Sequence, residues 1–175
     1  MKMTFFLAVL LSTACAFAGE TNVQSAVGKA KTASATVTIQ VPGGTPLMLD
    51  LPSAGTANTV GIRTVVRTQD GSVFFQLWPV ASAKTLDDAM TRYADLLKPE
   101  DSHDIKVTKT SDVTLAGAPA RILVGSGVES DDGDPGQAEV VLFSVHGHIF
   151  IACVHGEQMT DAETKSMLAV LQTAR

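Results

Sequence analysis

Two nearly continuous apolar runs, Glu139 to Val145 and Ile149 to Val154, flank His146-Gly147-His148 late in the chain. A strand with one wet face alternates apolar and polar residues, whereas a run apolar at both parities needs cover on both faces. The glycine-centred break predicts a tight turn joining the two runs. The rest of the chain must therefore cover both sides of a central strand pair.

Other segments supply strands and helices for that purpose. Val37, Ile39 and Val41 alternate with polar residues until Pro42-Gly43-Gly44, and Leu47, Leu49 and Leu51 alternate until Pro52. Val60 to Thr68 and Ser72 to Val80 flank Gln69-Asp70-Gly71. An Asp-Gly pair between β-rich runs predicts a hairpin, because both residues tolerate positive φ. Thr85 to Lys98 then changes period. Leu86, Met90, Tyr93 and Leu97 share one helical face, with Thr85 as cap, acids in the first turn and Pro99 as stop. Ile105 to Thr110 with Val113 to Leu115, and Ala118 to Val128, read as strands, and Glu129 to Gly136 as an acidic loop. Thr160 and Glu163 form a capping box for a last helix whose apolar face holds Met167, Leu168, Val170 and Leu171.

The order is four strands, a helix, four strands and a helix. Tight turns between neighbours make the sheet mainly antiparallel. The fold class predicted is α/β in the α+β sense, a single mainly antiparallel sheet flanked by helices.

The N-terminus carries an address. Lys2, the apolar run Phe5 to Leu11 and Ala16-Phe17-Ala18 follow the order of a secretory signal. Residues 1–18 are read as a signal peptide, 19–34 as a flexible lead-in and 35–175 as the globular domain, which places the protein in the periplasm or outside the cell. Ser12-Thr13-Ala14-Cys15 is similar to a lipobox with serine in place of leucine, so a lipid anchor at Cys15 is the lesser alternative. Cleavage after Ala18 removes Cys15 and leaves Cys153 alone, so the fold stands on its core rather than on a disulfide. No apolar run is long enough for a spanning helix. The formal charge of −5 argues against a nucleic-acid partner, which needs a basic stripe.

The segment Thr85-Leu86-Asp87-Asp88-Ala89-Met90 with Tyr93, the turn Val113-Thr114-Leu115-Ala116-Gly117-Ala118-Pro119-Ala120-Arg121, and the strand pair around His146-Gly147-His148 followed by a helix resemble the PsbP-like fold. The exported, DcrB-like bacterial members are similar in layout. The resemblance covers residues 35–175 and implies an extracytoplasmic accessory or binding protein without enzymatic activity.

The chemical motifs point the same way. There is no Gly-x-Ser-x-Gly elbow and no Ser-x-x-Lys. Cys153 lies within an apolar run and reads as a buried hydrophobe. His146 and His148 belong to a turn, and five strand residues put Cys153 about 17 Å from His148, too far to share an ion. No metal ligand and no cofactor is assigned. Glu129, Asp131, Asp132 and Asp134 lack the spacing and closing glutamate of a calcium loop. They read as a solvated loop or as an acidic finger for a basic partner. Trp78, just before Pro79, reads as packed against the Thr85 helix, with partial exposure near a strand end and availability to a partner as the alternative. The function expected is therefore non-enzymatic binding of a protein partner in the cell envelope, with Trp78, Glu129, Asp131, Asp132 and Asp134 as contact residues. An inhibitor or immunity-type role against an exported enzyme is one alternative, and a small metal-dependent hydrolase is another.

Overall fold

In the computed structural model of the chain, residues 34–96, 103–128, 135–156 and 159–175 are described. Among these described residues, nine strands and two helices run in the order β1 (Ala35–Ile39), β2 (Leu47–Leu51), β3 (Gly55–Val60), β4 (Arg63–Thr68), β5 (Phe74–Pro79), α1 (Leu86–Leu96), β6 (His103–Leu115), β7 (Ala118–Val128), β8 (Pro135–Val145), β9 (His148–Gly156) and α2 (Asp161–Leu171). Seven strands form an antiparallel sheet ordered β3-β4-β5-β9-β8-β7-β6. The apolar runs are β8 and β9, inside the sheet as their composition requires.

The expected single sheet is corrected to two. β1 and β2 pair only with each other, as a separate antiparallel hairpin. The segment Val60 to Thr68 is also not one strand. Gly61 takes φ +61° and turns the chain between β3 and β4, which adds a strand before α1. The ladder of β8 begins at Pro135, inside the segment read as a loop. The segments read as a signal peptide and as most of the lead-in, with Cys15, lie outside the described residues.

Strand alternation divides the core in two. On one face Val66, Phe75, Leu77, Val141, Phe143, Phe150, Ala152 and Val154 pack with the β1–β2 hairpin and with Met167, Val170 and Leu171 of α2. The rings of Phe143 and Phe150, cross-strand partners, lie 5.5 Å apart. On the other face Trp78, Leu123, Val140, Leu142, Ile149, Ile151 and Cys153 pack with Ala89, Leu86 and Met90 of α1. The central strands are thus covered on both sides.

Local chemistry sets the element ends. The Thr160–Glu163 capping box forms with both of its reciprocal bonds. At α1, Thr85 Oγ1 accepts from the Asp88 N–H at 3.1 Å, while Asp88 Oδ2 accepts from the Thr85 N–H. Ala116 and His146 take φ of +50° and +52°, each followed by a positive-φ glycine, which suits the tight β6–β7 and β8–β9 turns. Arg121 on β7 bonds Asp112 of β6 and Asp87 of α1 at 2.6 Å each, tying the helix to the sheet. These two carboxylates, Asp112 first, hold the guanidinium above its ordinary pKa.

Candidate functional site

The two faces of the sheet are not covered equally. Thr64, Val66 and Thr68 of β4 are buried on the face where Val66 packs with the β1–β2 hairpin and α2. On the opposite face α1 packs over β8, β9 and the Trp78 end of β5, and leaves β3, β4 and the Phe74–Gln76 part of β5 open. The residues of β4 that alternate onto this open face are Arg63, Val65 and Arg67, and the two arginines are exposed.

The register builds the open face. Val65 lies opposite Gln76, and Arg67 opposite Phe74. Gln76 lies in turn opposite Cys153 of β9. Arg63 Nη1 donates to Gln76 Oε1 at 3.2 Å, and Gln76 Nε2 is 3.2 Å from His155 Nε2. A polar chain therefore crosses three strands. Phe74 stands beside it with half of its surface (50%) in water. Arg67 has no hydrogen bond or ion pair among the described residues. An exposed aromatic ring next to cationic side chains is a composition enriched in protein-binding surfaces.

A cleft opens at the end of the sheet nearer Arg63. It has a volume of about 770 Å³ and is lined by Ile62, Pro79, Ala83, Lys84, His148 and Ile149 among others. Its walls are mainly apolar, with Ser82, Lys84 and His148 as polar groups. Val60 (80% exposed) and Ile62 (58% exposed) project beside the β3–β4 turn. His148 is seated against Gly44, where an added Cβ would come within 2.4 Å of its ring. Among the described residues, no three His, Cys, Asp or Glu side chains are placed to hold one metal ion.

No family model matches the chain, and no curated protein does. A solved structure from Pseudomonas aeruginosa, of a protein of unknown function, is 14% identical, with a TM-score of 0.39 over 74% of this chain and 86% of that one. A likeness of that size carries no argument about fold or function.

Trp78 shares the α1-side face with Gln76 but is 6% exposed, packed under α1. The packing expected of it is found, and the partial exposure that would have made it a contact residue is not. Its Nε1 has no hydrogen-bond partner among the described residues. The ring therefore offers a partner little surface. Glu129, Asp131, Asp132 and Asp134 lie outside the described residues. The residues that sequence reasoning passed over are Arg63, Arg67, Phe74, Gln76 and His155. Their signal was the alternation of Arg63, Val65 and Arg67 with apolar or small polar residues, which names a wet face but not its neighbours.

Cys153 is buried on the α1 side, and desolvation pushes its thiol up to about 12. A thiol held protonated and out of solvent is a poor nucleophile. We expect Cys153→Ser to cost about 1–3 kcal/mol, through a hydroxyl left poorly satisfied among apolar side chains. Labelling of the Cys153 thiol in the native protein should proceed only at the rate of unfolding, and its rapid labelling without denaturant would contradict this.

Proposed function

We propose that the chain is an exported, non-enzymatic binding protein of the cell envelope that engages a protein partner through the uncovered half of its sheet. The observation that carries this reading is Phe74, half-exposed beside the unpaired Arg67 on a face that α1 leaves open. A half-exposed ring forgoes part of the roughly 1.5–3 kcal/mol that full burial would contribute, and an aromatic ring beside arginines is the composition enriched at the centre of binding surfaces. The acidic loop Glu129 to Asp134 is a separate contact in this proposal, for basic groups. Export rests on the order of Lys2, the apolar run and Ala16-x-Ala18. The PsbP-like form of the fold belongs to the same proposal. It is supported by the antiparallel sheet, by the helix between its two halves and by the closing helix after the His146-Gly147 turn.

The test is made on tagged protein in its own cells. The mature chain should begin at Gly19 and fractionate with the periplasm or medium. After brief in-cell crosslinking it should carry one defined protein adduct. Combining Phe74→Ser with Arg67→Ser should remove that adduct without altering the circular dichroism spectrum. An adduct that survives the double substitution, or a chain that never forms one, overturns the reading.

A further inference from the structure

We infer that the open half-face takes an extended acidic protein segment whose carboxylates, four residues apart, sit on Arg63 and Arg67 with an apolar side chain between them. This rests on the reading of that face as the binding surface and names the chemistry of its partner.

Spacing carries the first part. Arg63 and Arg67 lie four residues apart on one strand, about 13 Å at ~3.3 Å per residue. An extended segment running along β4 has the same rise and the same alternation. Its residues i, i+2 and i+4 therefore face the sheet above Arg63, Val65 and Arg67. A helix brings carboxylates at i and i+4 to within roughly 6 Å, and would need them about eight residues apart, at ~1.5 Å per residue, to span both arginines. Only an extended segment meets both with acids four residues apart.

Charge carries the second part. The chain as a whole is acidic, at −5, yet the charged side chains at these β4 and β5 positions are Arg63 and Arg67. Neither arginine pairs with a carboxylate among the described residues. Gln76 orients Arg63 without neutralising it. The acidic groups nearby in sequence are turned to other work. Asp70 accepts from the Ser72 N–H and hydroxyl in the β4–β5 turn, and Asp88 accepts from the N–H groups of Lys84 and Thr85 at the start of α1. Two arginine forks with open donors suit carboxylates. Val65, between them, and Phe74, directly across from Arg67, make the apolar floor. The recognition pattern is acid-x-apolar-x-acid. Nucleic acid is the weaker match, since a single exposed ring gives no run of stacking platforms.

The probe is a fluorescein-labelled dodecapeptide with Glu-Thr-Val-Thr-Glu at its centre. Two controls go with it: the same composition with Thr-Glu-Val-Glu-Thr at the centre, and an oligothymidylate. The first peptide should shift the NMR signals of the Arg63 and Arg67 side chains and of the Phe74 ring, and its binding should weaken with salt. Combining Arg63→Gln with Arg67→Gln, both at exposed positions, should reduce its affinity about tenfold or more. Equal binding of the respaced peptide, preference for the oligothymidylate, shifts confined to the cleft, or no binding each overturn the inference. If the in-cell adduct persists while the peptide fails, the acidic pattern is wrong and the binding face stands. If both fail, the reading of the face fails with them.

Discussion

Phe75→Ala should lower stability by about 3–5 kcal/mol, and Phe74→Ala should change it by less than about 1 kcal/mol. The two rings are neighbours in the chain and point to opposite faces of β5. Phe75 is fully buried with Val66, Leu77, Phe143 and Phe150 beneath the β1–β2 hairpin and α2. Truncating it removes the transfer free energy of the ring and leaves a cavity that surrounding strands cannot collapse to fill. Phe74 is half in water, and its removal costs only a cross-strand contact with Arg67. Urea titrations of the two variants check this. Losses of equal size would mean that the second face is covered, and the binding surface would go with it.

Glu139→Gln should raise stability at neutral pH and flatten its pH dependence. Glu139 is 7% exposed and faces α2, where its Oε2 accepts from Thr164 Oγ1 at 3.0 Å while Oε1 has no hydrogen-bond partner among the described residues. Burial, aided by the charge of Asp161, pushes the carboxyl above the ordinary glutamate value of 4.5; the Thr164 bond and Lys109 oppose the shift without cancelling it. The sign follows from proton counts. Between the unfolded and folded values the folded chain binds more protons than the unfolded one. Stability therefore falls as pH rises from the ordinary carboxylate value through the raised folded value, and is restored on acidification across the same window. Glutamine keeps an acceptor for Thr164 and has no charge to desolvate. Thermal midpoints of wild type and variant should converge at the acid end of that window and separate above it. A wild-type midpoint that rises through the window, relative to the variant, would contradict the buried state of Glu139.

What was legible in the sequence was what a few neighbouring residues decide. The Asp70-Gly71 turn forms because Gly71 takes φ +72° and Asp70 bonds Ser72. The Thr160–Glu163 box is likewise complete within four residues. The doubly apolar runs required two-sided cover, and β8 and β9 have it. The break at Gly61 was hidden because Val60 and Ile62, both exposed, look like strand interior by type. The separate β1–β2 sheet was hidden because pairing partners are set by the whole fold, not by alternation. Trp78 was ambiguous for a related reason: Pro79 marks a strand end, but the ring's burial depends on where α1 comes to rest. The open face posed the same difficulty. Arg63 and Arg67 announced a wet side of β4, while the helix that could have covered it lies over β8 and β9.

The central claim is that this half-face meets a protein partner, and a photo-crosslinking side chain placed at single positions in the cell tests it most directly. Positions 67 and 74 on the open face are compared with positions 48 and 107, which are exposed elsewhere on the fold. Capture of one and the same protein from positions 67 and 74, and from neither 48 nor 107, is the predicted result. Capture from 48 or 107 but not from 67 or 74 would contradict the claim.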